Sequence, residues 1–138
     1  MQARRIGFWT STAILVFVLL SGGVGELLHL WGTLDTATVL GYPAYFLTII
    51  GAWKILGALV LLVPGFPRLK EWAYAGIVFN MTGAAASHAF AADYGPFAFH
   101  VLVTLALAGL ALASWALQPR RTHAPAALQA TSRLVPAR

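Results

Sequence analysis

Four apolar runs, each about twenty residues long or more and bounded by prolines, glycines or charges, occupy most of this 138-residue chain. They begin near Ile6, Pro43, Trp72 and Pro96 and end near Trp31, Val63, Ala92 and Leu117. A helix needs about 20 such residues to cross the roughly 30 Å hydrocarbon core of a bilayer. In lipid the backbone must satisfy its own hydrogen bonds, so runs of this length become helices. Composition agrees, with hydrophobic residues at 59% and charged residues at 9%, against about 25% charged in a soluble domain. A soluble enzyme of this size would have too little charge to cover its surface. The expected fold is all-α: an integral membrane four-helix bundle over residues 1–117, with spans at about 6–31, 43–63, 72–92 and 96–117.

The connections between spans set their direction. Gly41-Tyr42-Pro43, Pro64-Gly65-Phe66-Pro67 and Asp93-Tyr94-Gly95-Pro96 combine helix stops with prolines, and a proline at a helix start costs nothing because its missing N–H has no partner there anyway. Between Thr33 and Leu40, Asp35 is placed to cap a short helix lying at the interface. Arg4 and Arg5, Arg68 and Lys70, and Arg120 and Arg121 flank alternate span ends, whereas the other two connections carry Asp35 and Asp93 and no Lys or Arg. The positive-inside rule then puts both termini in the cytoplasm. A cleaved signal peptide is the rival reading of the N-terminus, but the apolar stretch is too long and no Ala-x-Ala site follows it. Residues 118–138, rich in Ala, Pro and Arg, read as a disordered cytoplasmic tail. The net charge is +5, yet no basic cluster sits on a soluble-looking segment, so nucleic acid is not an expected partner. Zero cysteines exclude disulfides, thiol redox chemistry and thiolate metal sites.

The polar residues inside the spans fall on stripes of small residues, which let helices approach closely in lipid. These stripes are Gly22, Gly25, Glu26 and His29; Gly51, Lys54, Gly57 and Ala58; Ala73, Gly76, Asn80, Ala84 and Ser87; and His100, Thr104, Ala108 and Ala111. At about 1.5 Å per residue, Lys54 and Asn80 lie roughly 16 Å from the outer boundary, near the midplane, while Glu26, His29, His88 and His100 lie within about a turn of it. Facing lipid at the midplane would cost Lys54 about 3 kcal/mol, so it is either functional or the structural ion-pair partner of Glu26. Asn80 is equally a ligand contact or an interhelical tie. Glu26-Leu27-Leu28-His29 has the Glu-x-x-His spacing of di-iron carboxylate bundles, which need two such pairs. With His88 and His100 it offers three imidazoles and one carboxylate to zinc or iron. Few carboxylates remain inside the bundle to hold those imidazoles, so no metal is expected. Most of the large aromatics near span ends read as interfacial belts. Trp53, deep and beside Lys54, is kept as a candidate ligand contact.

Leu40-Gly41-Tyr42-Pro43-Ala44-Tyr45-Phe46-Leu47-Thr48-Ile49, followed by Gly51-Ala52-Trp53-Lys54-Ile55-Leu56-Gly57, resembles the DoxX-like family of small bacterial membrane proteins. So does Pro64-Gly65-Phe66-Pro67-Arg68-Leu69-Lys70-Glu71-Trp72-Ala73-Tyr74-Ala75-Gly76, continuing through Asn80, Thr82-Gly83-Ala84-Ala85 and Ser87-His88. The resemblance covers about residues 8–117, with Lys70–Gly76 its most specific part; the tail and the Glu-x-x-His pair fall outside it. It implies a four-helix bundle in the bacterial inner (plasma) membrane, spanning it several times. The family name comes from subunits of a membrane thiosulfate:quinone oxidoreductase, so a quinone-linked role is implied by analogy alone.

The leading expectation is a polar cavity open to the outer face, binding a small lipophilic molecule such as a quinone, in a subunit or partner of an oxidoreductase. Lys54, His88 and Glu26 are its expected catalytic residues: Lys54 holds a carbonyl oxygen, His88 exchanges a proton and Glu26 keeps Lys54 charged. Asn80, Trp53, His100 and His29 are expected ligand contacts. Membrane lipid surrounds the bundle, and a homo-oligomer is an alternative partner arrangement. Two other readings stay open: a self-contained enzyme doing acid–base chemistry on a lipophilic substrate, as an isomerase or hydrolase, and a non-catalytic scaffold. Because the chain has no cysteine of its own, single-cysteine variants test the topology cleanly. A membrane-impermeant maleimide should label Asp93→Cys in intact cells and Thr122→Cys only in inverted vesicles; labelling of Thr122→Cys from outside would reverse the orientation.

Overall fold

The computed structural model describes residues 2–119; apart from Gln118 and Pro119, the expected tail lies outside the described residues. Helices α1 (Gln2–Leu27), α2 (Thr33–Val39), α3 (Ala44–Leu62), α4 (Pro67–Phe90) and α5 (Phe99–Leu117) follow one another, with one 3-10 turn at Pro96–Ala98 and no strand among the described residues. The helix ends differ from the apolar runs for local reasons. α1 stops at Leu27, short of Trp31, because the next residues form a Schellman turn. In that turn the His29 N–H donates to the Glu26 carbonyl at 3.4 Å and the Leu30 N–H to the Gly25 carbonyl at 2.7 Å, with His29 in the left-handed region at φ 55°. α4 starts at Pro67 rather than Trp72, since proline suits the first helical position and Arg68, Leu69, Lys70 and Glu71 are good helix formers. Asp35 sits in the first turn of α2, where its charge favours the helix N-terminus, but it makes no capping bond; Gly32 occupies the cap position.

The four long helices pack in a ring, α1 on α3, α3 on α4, α4 on α5 and α5 on α1, with α2 set against α3 and α1. Short connections make ring neighbours antiparallel, so both described termini come to one end. There Arg4 Nη2 donates to the carbonyls of Ala116 and Gln118 at 3.2 Å each, and Lys70 Nζ donates to the Leu61 carbonyl at 2.8 Å. This is the basic end of the bundle; Asp35 and Asp93 lie at the opposite, acidic end.

Between these ends the core gathers Leu15 and Leu19 of α1, Ala58 and Leu61 of α3, Tyr74, Ile77 and Met81 of α4, and Ala108 and Ala111 of α5. Most of these residues lie nearer the basic end. The outer surface is also apolar, with Phe17 72% and Phe79 75% exposed, as expected where lipid replaces water as the solvent. α1, α3 and α5 are each long and apolar enough to cross a membrane. α4 is long enough at 24 residues, but its basic and polar positions make it less apolar. One expected stripe is displaced: α4 buries Tyr74, Ile77, Met81 and Ala85, about 100° round from Ala73, Gly76, Asn80 and Ala84.

The tightest crossing joins α1 and α3. A Cβ on Gly51 would lie 2.7 Å from the Gly23 carbonyl oxygen and 2.9 Å from the Leu27 nitrogen, and one on Gly23 would lie 2.9 Å from the Gly51 carbonyl oxygen. Backbone cannot retreat as a flexible side chain does, so both positions require glycine. Gly51→Ala should therefore destabilise the bundle by about 1–3 kcal/mol through overpacking, whereas Gly109→Ala, which meets open space, should be neutral or slightly stabilising. Unfolding of both variants in detergent micelles checks this.

Candidate functional site

Lys54 and Glu26 form an ion pair between α3 and α1 through the Lys54 Nζ and Glu26 Oε1 atoms, with side chains 16% and 17% exposed. The second carboxylate oxygen, Glu26 Oε2, is buried and has no hydrogen-bond partner among the described residues. Each of the pair stands three residues beyond a crossing glycine, Gly51 for Lys54 and Gly23 for Glu26, so the helix approach that needs the glycines also presents the charges to one another.

A cavity of about 440 Å³ lies between α3 and α4, with Leu19 of α1 contributing to it. Its apolar wall includes Ile50, Leu56, Val60, Leu69 and Ile77, and its polar side chains are Lys54, Asn80 and the indole rings of Trp53 and Trp72. Both indoles are mostly exposed at the bundle surface, Trp53 68% and Trp72 78%, so the cavity opens sideways between the two helices. The Asn80 side chain makes no hydrogen bond to any described residue, leaving its amide free toward the cavity. The displacement of the α4 stripe explains this placement: the turn that buries Tyr74 and Ile77 in the core carries Ala73, Gly76 and Asn80 round to the α3 side.

The residues expected in an outward-opening polar layer do not line this cavity. From Lys54 and Asn80 the cavity runs past Val60 and Leu69 toward the basic end, and Glu26, His29, His88 and His100 do not line it. His29, expected beside Glu26 on one helix face, lies beyond α1 in left-handed backbone and is exposed. His88, expected to exchange protons with a ligand beside Lys54, bonds through Nδ1 to Asp93 Oδ2 at 2.9 Å. His100 Nδ1 meets the same carboxylate oxygen at 3.2 Å, and the two imidazole rings stand 4.8 Å apart. The residues expected in one layer therefore divide between the α1–α3 pair, the α4–α5 junction and an exposed turn.

A buried polar trio escaped the reading of the sequence. Ser114 Oγ lies 2.9 Å from Thr12 Oγ1 and 2.9 Å from Tyr74 OH, joining α5 to α1 and α4. Ser114 continues the Ala108–Ala111 stripe by one turn, and that continuation was the available signal. Trp115 Nε1 donates to Glu71 Oε2 at 2.7 Å, a second tie between α4 and α5.

The Lys54–Glu26 pair makes a stability prediction of its own. Removing one partner of a largely buried pair leaves the other charge uncompensated, while removing both leaves none. Lys54→Met should cost about 2 kcal/mol or more, and Lys54→Met combined with Glu26→Gln should recover a substantial part of that loss. Equal instability of the single and double variants in micelle unfolding would show that the pair is not coupled.

Residues 10–114 match the DoxX-like family. No curated protein and no solved structure matches the chain. The family match covers most of the chain and agrees with the long apolar helices found here. The chain belongs to the DoxX-like family and is a membrane protein.

Proposed function

We propose that this protein is a four-span bundle of the bacterial inner membrane that takes a small lipophilic molecule with a carbonyl head, of the quinone class, into the cavity between α3 and α4. α4 is the fourth span in this reading, its basic first turn held at the cytoplasmic surface with both termini. The observation that carries the proposal is the pairing of Lys54 and unbonded Asn80 in an otherwise apolar cavity that opens through the lipid-facing side of the bundle. A volume of about 440 Å³ falls in the range of small-molecule sites, about 300–1,000 Å³. Lipophilic ligands partition into the bilayer first, and a sideways mouth admits them without crossing water.

The polar atoms suit a carbonyl. Lys54 carries three N–H donors, of which one is engaged by Glu26, and Asn80 offers both a donor and an acceptor. Glu26 holds the Lys54 amino group in place. Trp53 and Trp72 flank the mouth, where flat rings stack well on a planar head group. The chain contains no cysteine, so any thiol or sulfur step would fall to a partner, which fits a role as a subunit or partner of an oxidoreductase.

Tryptophan quenching tests the reading directly. A short-chain ubiquinone titrated into the protein in nanodiscs should quench fluorescence saturably, and Trp53→Phe should remove much of that signal. Binding should weaken at least about tenfold in the Lys54→Met, Glu26→Gln double variant and in Asn80→Leu, each loss corresponding to about 1.4 kcal/mol or more. Quenching that never saturates, or that survives both changes at the same midpoint, would refute a site between α3 and α4.

A further inference from the structure

We propose that His88, Asp93 and His100 form a binding site for one divalent transition-metal ion of the zinc class, separate from the cavity between α3 and α4. The ligand set offered by the sequence joins His88 and His100 to Glu26 and His29, and no ion is expected there because few carboxylates remain to hold the imidazoles. The fold replaces those two with Asp93, which reading along the helices had placed in a connection.

The local structure explains how the three residues meet. α4 ends in a Schellman turn, with the Ala92 N–H donating to the Ala89 carbonyl at 3.2 Å and the Asp93 N–H to the His88 carbonyl at 2.9 Å. That turn folds Asp93 back over His88, five residues earlier in the chain, and requires left-handed backbone at Ala92, φ 53°. Gly95 and the 3-10 turn then lead into α5, whose second residue is His100. Gly95 leaves room for the His100 ring, since a Cβ there would lie 3.0 Å from Nε2. Both histidines thus stand on helix ends, and the connecting loop carries the carboxylate between them.

The donor atoms are spaced for an ion. His88 Nδ1 lies 2.9 Å and His100 Nδ1 3.2 Å from Asp93 Oδ2, and one ligand atom from each residue falls within 4.8 Å of the others. Ligands on a tetrahedral ion with bonds of 2.0–2.1 Å stand about 3.3 Å apart. Small ring and carboxylate movements would therefore seat an ion where the two imidazoles now share one oxygen. An ion held through Nδ1 needs each imidazole with its proton on Nε2, so its entry displaces the Nδ1 contacts to the carboxylate. Two imidazoles and one carboxylate suit zinc and its first-row neighbours, whereas calcium and magnesium favour sites built from oxygen. Asp93 and His100 are partly exposed, at 24% and 37% of their side chains, which leaves a fourth position for water. The bound ion would clamp the ends of α4 and α5 together.

The experiment uses the full untagged chain in detergent. Equilibrium dialysis against zinc should find one saturable equivalent, and cobalt(II) should give the intense visible absorption of a four- or five-coordinate ion. Asp93→Asn keeps the shape of the carboxylate and removes its charge; with His88→Ala it should weaken zinc binding by at least about 100-fold, beyond the usual cost of losing a supporting partner. His29→Ala and His123→Ala should retain the full equivalent. Absence of a saturable equivalent in the unaltered chain, a cobalt spectrum of the hydrated ion, retention in Asp93→Asn, or loss in His29→Ala or His123→Ala would each overturn the site.

Discussion

Gly23 and Gly51 let α1 and α3 meet backbone to backbone, and much of the acidic half of the molecule follows from that contact. Lipid offers no hydrophobic force between helices, so close packing and polar contacts hold them together. The glycine crossing supplies the first, and the Lys54–Glu26 pair that spans it supplies the second. With one face of α3 committed to α1, its contact with α4 is the sparsest in the ring. The cavity occupies that looser seam, and Lys54 stands at the edge of both.

Three helix ends at the acidic side share one device. After α1, α2 and α4 the chain turns through a left-handed residue, at His29, Gly41 and Ala92, and the residue beyond each donates back five positions, Leu30 to Gly25, Tyr42 to Ala37 and Asp93 to His88. Only Gly41 is the residue type that adopts this backbone without cost. At the other two positions the strain is set against the docking it achieves. Trp31 is laid over Gly25, where a Cβ would come within 2.6 Å of the ring, and Asp93 is laid over His88.

Those turns mark where the sequence was readable and where it was not. Apolar run length and the Pro and Gly breaks located the long helices to within a few residues, because those signals are local. The ion pair of Lys54 and Glu26 was also legible, since a charge near the midplane needs a partner within reach of its own stem. His29 was misplaced because continuing a helical period assumes that the helix continues, and no glycine announced the turn after Leu27. Asp93 was passed over for the same reason: its partners depend on left-handed backbone at Ala92, a residue type with no preference for it. Asn80 was located near Lys54 by counting residues, but only the rotation of α4 about Tyr74 and Ile77 explains why its amide meets a cavity rather than a neighbouring helix.

The charge balance of the cavity bears on which ligands it can hold in the proposed role. Lys54 and Glu26 together are net neutral, and one carboxylate oxygen is already used by the ammonium. A ligand in the cavity would meet the remaining donors of Lys54, while the nearby carboxylate would oppose any second full negative charge. An anion would have to compete with Glu26 for Lys54 and would leave a buried carboxylate uncompensated. A neutral acceptor asks for neither change: it takes a free N–H from Lys54 or Asn80 and leaves the pair intact. The same balance disfavours a cation, which would meet the ammonium first. An uncharged head with a strong acceptor, on a body that partitions into lipid, is therefore the chemistry that this arrangement accommodates at least cost.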